Sequence, residues 1–105
     1  MNIIGNQFLV DFGMAKSILA IDSETSLTFT ITEKEGKEVN TTETVEIKLT
    51  QLRPKLYMAT WKEENGNTVT QIQDYKKGEV YNNWTRPGGE FLHAKGTLKP
   101  FKLKL

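Results

Sequence analysis

The sequence contains no cysteine and only one histidine, and these two absences limit its chemistry. Without cysteine there can be no disulfide, and no thiolate can act as a nucleophile or bind a metal. The lone imidazole of His93 is a poor basis for a transition-metal site, which normally combines several His, Cys or carboxylate ligands. A structural or hydrogen-bonding use of His93 is therefore favoured, and we expect neither a metal nor a cofactor.

An excess of one charge is missing as well. The chain has 14 Lys and Arg against 13 Asp and Glu, a formal net charge of +1, and the two signs are mixed along its length. Four lysines gather near the C-terminus but alternate with apolar residues, which indicates a solvated strand face rather than a phosphate-binding patch: Lys95, Lys99, Lys102 and Lys104. We expect no nucleic-acid partner.

Long hydrophobic runs are also absent. No apolar stretch approaches the ~20 residues that a membrane-spanning helix needs, and the N-terminus lacks a basic region followed by a long apolar segment. We therefore expect a soluble, cytoplasmic protein with no membrane partner. A length of 105 residues fits one domain with one hydrophobic core, spanning residues 1–105.

What the sequence does contain is alternation of polar and apolar residues with a period of two, whereas a helical period is nowhere sustained. In "SLTFTITE", residues 26–33, Leu27, Phe29 and Ile31 face one way and the threonines face the other. This pattern is typical of a half-buried β-strand. Interrupted by Gly, Pro and Asn turn signals, it predicts strands over residues 8–12, 18–21, 26–33, 42–52, 55–63, 68–75, 79–86 and 90–98, with a short tail over 101–105.

The predicted connections are all short turns, so each strand is expected to pair with the next one along the chain. Such a meander exposes two strand edges unless it closes, and closure into a barrel removes both. The sequence therefore predicts an all-β fold, a small closed up-and-down antiparallel β-barrel of about eight strands. A β-sandwich is the alternative, but it normally needs a long Greek-key connection, and none is visible.

Polar residues on strands expected to face the core are the main indication of function. The interior of an eight-stranded barrel can hold one small ligand, and buried amides need hydrogen-bond partners. The candidate ligand-binding residues are the aromatic pair Tyr57 and Trp61 with the polar side chains Gln71, Gln73, Tyr81, Asn83 and His93. No catalytic triad, phosphate-binding glycine loop or metal motif is present, so catalytic residues are not assigned.

The phase of the last strands leaves alternatives open. Gln71 and Gln73 face in if Val69 does, but they face water if Thr70 and Ile72 point inward. The next strand presents either Tyr81 and Asn83, or Val80, Asn82 and Trp84. The last presents either Phe91 and His93, or Leu92 and Ala94.

The second half of the chain resembles the MoaF-like branch of the lipocalin-like (calycin) superfamily. The matching residues are Tyr57, Trp61, Glu63, Glu64, Gly66, Thr68, Val69, Thr70, Asp74, Gly78, Val80, Tyr81, Asn83, a turn glycine, Gly96 and Thr97, with a weaker match in "GNQFLVDFG". The resemblance implies a small closed barrel with a ligand cavity. Similar barrels include phenolic acid decarboxylases, which use tyrosines, an arginine and a glutamate in the cavity. In this shorter chain the two arginines, Arg53 and Arg86, fall at strand ends.

Two functions follow as hypotheses. The first is a binding module that holds a small, partly apolar molecule in the lumen. The alternative is a small lyase or isomerase, in which His93 or a tyrosine moves a proton on a phenolic or carbonyl compound. The family positions favour inward Tyr81 and Asn83. Trp84 would then face out and could form a homodimer interface, whereas an inward Trp84 would predict a monomer with a smaller cavity.

Overall fold

A computed structural model describes residues 3–102, and the last three residues of the predicted tail, 103–105, lie outside that range. Eight antiparallel strands form a closed barrel in which each strand pairs with the next and the last pairs with the first. The predicted up-and-down barrel is confirmed and the sandwich alternative is wrong. The strands are β1 (Gln7–Asp11), β2 (Ala15–Ile21), β3 (Ser26–Lys34), β4 (Lys37–Arg53), β5 (Leu56–Lys62), β6 (Thr68–Asp74), β7 (Glu79–Thr85) and β8 (Phe91–Pro100).

Two strands begin earlier than the sequence predicted, because their turns are tighter than expected. At the β1–β2 turn, Gly13 has a φ of 84° and the amide of Phe12 donates to the carbonyl of Ala15 at 2.9 Å. At the β3–β4 turn, Glu35 and Gly36 both have positive φ, as a two-residue hairpin turn requires. Strand pairing therefore resumes directly after each turn. Within residues 3–102 no helix is long and apolar enough to cross a bilayer.

The core lies inside the barrel, because each strand directs alternate side chains inward. Strand β5 turns Ala59 and Trp61 inward, and β6 turns Val69, Gln71 and Gln73 inward, as the paired register shows. The buried apolar side chains are Ile3, Phe8, Val10, Leu19, Ile21, Leu27, Phe29, Val45, Ile47, Ala59, Trp61, Val69, Val80 and Leu98.

The two ends of the barrel differ. The closed end carries the β2–β3, β4–β5 and β6–β7 turns, and there the buried Ile3 enters beside β2 while the amide of Gly5 donates to the carbonyl of Ile21 at 2.7 Å. Phe8 packs against Tyr75 at this end, with ring centroids 4.8 Å apart. The open end carries the other four turns.

Strands β1 and β8 close the barrel through four residue pairs, from Phe8 opposite Pro100 to Asp11 opposite Thr97. Gly96 precedes Thr97, the residue of β8 that pairs with Asp11. A Cβ atom at Gly96 would stand 2.2 Å from the carbonyl oxygen of Asp11 and 2.9 Å from the ring of Phe12. The absence of a side chain at this position therefore lets β8 meet β1.

Candidate functional site

A cavity of about 90 Å³ opens into the barrel at its open end. Four aromatic rings form much of its wall: Phe12, Phe29, Trp61 and Trp84. Phe12 meets Trp84 edge to face, with centroids 5.4 Å apart, and Phe29 lies 6.4 Å from Trp61 in a tilted arrangement. The remaining lining is aliphatic or polar and comprises Ala15, Lys16, Ser17, Leu19, Ile31, Glu63, Gln71 and Asn82.

A chain of side-chain hydrogen bonds runs through the lumen from the closed end to this cavity. Tyr75 Oη donates to Gln73 Oε1 at 2.7 Å, and Gln73 Nε2 donates to Gln71 Oε1 at 2.6 Å. Gln71 Nε2 then donates across to Asn82 Oδ1 on β7 at 2.8 Å. The hydrogen bonds form because Gln71 and Gln73 lie on the inward face of β6, Tyr75 follows directly after that strand, and Gln71 stands opposite Asn82 in the register.

These hydrogen bonds explain how a small barrel can bury three amide side chains. Gln73 is fully buried, and Gln71 and Asn82 are 3% and 2% exposed. Each amide accepts one hydrogen bond from its neighbour, so the cost of removing it from water is offset. In the described part of the chain no buried side-chain nitrogen or oxygen is left without a partner.

Glu63 stands at the rim of the cavity, in the β5–β6 turn. Its carboxylate accepts hydrogen bonds from Trp61 Nε1 and from Asn67 Nδ2, each at 3.4 Å. Burial raises the pKa of Glu63 above its usual value, and the nearby charge of Glu43 acts in the same direction. Glu43 also accepts a hydrogen bond from the backbone amide of Glu64 at 2.7 Å, which fixes this turn beside β4.

Four of the seven predicted site residues lie inside the barrel. Trp61 and Gln71 line the cavity, while Gln73 lies deeper in the hydrogen-bonded chain. Tyr57 faces the interior opposite Gln73 and meets the ring of Tyr75 at 5.8 Å. The alternative in which the glutamines face water is wrong.

The other three predicted residues, Tyr81, Asn83 and His93, lie on the outer surface. His93 is exposed and makes its hydrogen bond to the exposed Asn83, with Nδ1 and Oδ1 2.7 Å apart. Tyr81 carries the ammonium of Lys95 over its ring at 5.5 Å. The favoured phase of β7 is therefore corrected: the strand turns Val80, Asn82 and Trp84 inward, because Asn82 has its amide partner there.

With Trp84 packed inward, the premise of the predicted homodimer through its ring does not hold, and the oligomeric state stays a prediction. This phase of β7 also places His93 away from the lumen, so His93 cannot serve as the acid or base of a reaction inside the barrel. Phe12 and Glu63 are cavity residues that the sequence reasoning did not select. Their position could be recognised only by pairing the β1–β2 and β5–β6 turns at one end of the barrel. Across the described residues, no group of three or more His, Asp or Glu side chains could hold a metal ion.

Comparisons with known proteins agree with the barrel. The model of a family described as MoaF-like matches residues 4–99. A crystal structure from Burkholderia vietnamiensis, described as that of a "putative beta-lactamase", superposes with a TM-score of 0.85 at 22% sequence identity and covers 96% of this chain and 97% of the other. At that identity the similarity shows the fold alone. A search of curated proteins gave no significant match.

Proposed function

The chain belongs to the MoaF-like family, and we propose that it is a binding module that holds a small, partly apolar molecule in the open end of its barrel. The observation that carries this proposal is the cavity itself, in which aromatic walls surround two buried amides. Binding sites for small molecules are commonly concave and mostly apolar, with a few polar groups that fix the orientation of the ligand. The placement in the calycin superfamily is part of the same proposal, since eight-stranded up-and-down barrels with a ligand in the lumen are its common architecture.

The two ends of the cavity offer a ligand different kinds of contact. The rings of Phe12, Trp61 and Trp84 offer apolar surface near the mouth, and Gln71 and Asn82 offer hydrogen bonds at the floor. Large apolar side chains are also exposed at the open end: Met14 in the β1–β2 turn is 50% exposed and Leu92, opposite Trp84, is 40% exposed. They extend the apolar surface beyond the cavity, as a ligand that reaches out of the mouth would require.

Ligand-detected NMR against a panel of single-ring compounds tests the proposal, with a matched pair of variants on β2. Ala15 lines the cavity, whereas Ala20 is opposite Thr28 on the outer face of the same strand. Ala15→Leu is expected to fill the cavity and abolish binding, and Ala20→Leu adds the same atoms outside and should leave binding unchanged. Equal binding by both variants, or no binding of any compound to the wild type, would contradict a lumen site.

The second candidate is proton transfer on a bound carbonyl or phenolic compound. Glu63 is the titratable group best placed to carry out this transfer. Its carboxyl lines the cavity, and burial raises its pKa above the usual value, the direction that favours a carboxyl acting as a general acid. Turnover of such compounds that Glu63→Gln abolishes, while binding persists, would support this activity. Hydrolysis of a chromogenic β-lactam belongs in the same assays, because of the description given to the Burkholderia protein.

A further inference from the structure

The floor of the cavity has a hydrogen-bond polarity, in the sense that its amides leave a donor available to a ligand. Asn82 is 2% exposed and lines the cavity, and its Oδ1 is occupied by the hydrogen bond from Gln71. Among residues 3–102 its Nδ2 has no hydrogen-bond acceptor. Because no fully buried side-chain nitrogen or oxygen in this range lacks a partner, Nδ2 is open to the cavity, and it gains a hydrogen bond when a ligand supplies the acceptor.

Tyr75 determines that it is the nitrogen of Asn82, and not its oxygen, that remains available. The described residues offer the phenol of Tyr75 one partner, Gln73 Oε1. If all three amides were rotated by 180°, Gln73 would present Nε2 to the phenol, and the part-buried O–H group would lose the one acceptor that the described residues give it. Burial and the neighbouring Tyr57 raise the pKa of Tyr75, so this proton stays in place. The series of hydrogen bonds therefore runs in one direction, from Tyr75 to Asn82, and ends in the donor Nδ2 of Asn82.

The charges around the cavity disfavour anionic ligands, and the hydrogen-bond donor at its floor disfavours cationic ones. Glu63 lines the cavity and Glu43 lies close enough to raise its pKa, so a carboxylate or phosphate would meet negative charge. The ammonium of Lys16 is 3.6 Å from the carboxylate of Glu33, which offsets its charge. An organic ammonium ion would meet the N–H group of Asn82 at the floor, where a donor faces a donor.

From this polarity, and on the basis of the proposed binding function, we infer that the ligand is a neutral aromatic compound with a carbonyl oxygen, which accepts a hydrogen bond from Asn82 Nδ2. The volume of the cavity sets the orientation. A closed apolar cavity that holds benzene measures about 150 Å³, so a cavity of about 90 Å³ accommodates the carbonyl group and its nearest atoms. The ring then lies at the mouth against Phe12 and Trp84, near the exposed side chain of Leu92.

Acetophenone and α-methylstyrene form a matched pair of probes, because they differ in shape only by exchange of the carbonyl oxygen for a methylene group. Titrations of the ¹⁵N-labelled protein should show that acetophenone binds roughly three- to tenfold more tightly, the effect of one additional hydrogen bond. The side-chain amide signals of Asn82 should shift with acetophenone alone. Benzoate and benzylamine should bind more weakly than acetophenone.

Two variants test separately the donor of Asn82 and the direction of the hydrogen-bonded amides that Tyr75 fixes. Asn82→Asp keeps an oxygen for Gln71 and removes the amide donor, so the preference for acetophenone should disappear. Tyr75→Phe does not touch the ligand but lets the amide chain reverse, and the preference should fall while α-methylstyrene binds as before. Equal affinity of the wild type for the two probes, or tighter binding of benzoate or benzylamine, would overturn the inference and leave the binding function standing. Failure of every probe to bind would instead refute the binding function.

Discussion

Tyr75 and Asn82 are joined through two glutamines, although Tyr75 lies at the closed end of the barrel and Asn82 lines the cavity at the other. The bond from Tyr75 Oη to Gln73 Oε1 is 2.7 Å long and fixes the orientation of the amides that follow it. Hydrogen bonds in such a chain polarise one another in a low-dielectric interior, so a single phenol influences a donor several residues away. Under the proposed binding function, stability and ligand recognition are therefore linked in this lumen.

The first prediction concerns the stability that this phenol provides. Tyr75→Phe keeps the ring contacts with Phe8 and Tyr57 but leaves the buried Gln73 Oε1 without its donor. We expect the free energy of unfolding in urea to fall by about 1–2 kcal/mol, the usual cost of an unsatisfied buried acceptor. Tyr57→Phe is the control, because the hydroxyl of Tyr57 has no hydrogen bond to any described residue, and it should change stability by less than about 0.5 kcal/mol. Equal losses in the two variants would show that ring packing, and not the hydrogen bond, determines the result.

The barrel itself could be predicted from the sequence because its signals are local. Short turns with Gly or Asn follow alternating strands, and no connection is long enough for another topology. The inward phase of β5 follows from Tyr57, Ala59 and Trp61, whereas the sequence left the phase of β6 open between Val69 and Ile72. Each of these arguments uses residues of one strand or one hairpin.

The phase of β7 could not be predicted because both faces of "VYNNWT" carry apolar and amide side chains. Asn82 can lie inside only because Gln71 stands opposite it, and that pairing depends on the register of two strands. The family resemblance marked Tyr81 and Asn83, but both contribute to contacts on the outer surface. The face on which a polar residue lies can be predicted only when its hydrogen-bond partner is known.

The second prediction tests the closure of the barrel. Gly96→Ala would place a methyl group 2.2 Å from the carbonyl oxygen of Asp11, so the β1–β8 pairing has to shift. We expect a loss of about 1–3 kcal/mol in the free energy of unfolding, typical of overpacking. Gly88→Ala in the β7–β8 turn meets no atom within 4 Å and serves as the control. If Gly96→Ala is as stable as Gly88→Ala, the close approach of the two strands is not rigid.

The third prediction is a pH dependence that arises from Glu63. Because its pKa in the folded state is raised above that in the unfolded chain, the folded state binds the proton more tightly. Stability is therefore lost as the pH rises from the ordinary value of a glutamate through the higher pKa of the folded protein. Glu63→Gln removes this loss, so its stability relative to the wild type should increase as the pH rises above the ordinary pKa of a glutamate, about 4.3.

Urea unfolding of both proteins at a series of pH values measures this difference. Glu46→Gln is the matched control, since Glu46 is exposed on β4 and does not line the cavity. A difference between Glu63→Gln and the wild type that stays constant across the range would contradict the role of the carboxyl proton. A difference that shrinks with rising pH would mean that the carboxylate, and not the acid, is favoured in the folded barrel.

The fourth prediction concerns Trp84, whose ring packs edge to face on Phe12 inside the mouth of the barrel. Because this ring is partly buried, Trp84→Ser should lower the free energy of unfolding by about 2 kcal/mol, somewhat less than the cost of removing a fully buried tryptophan. Phe91→Ser removes a ring that is 72% exposed and should cost less than about 0.5 kcal/mol. Light scattering of the wild type should give the mass of a monomer, since Trp84 offers no apolar ring on the exterior. A dimer that Trp84→Ser converts to a stable monomer would contradict the inward position of this side chain.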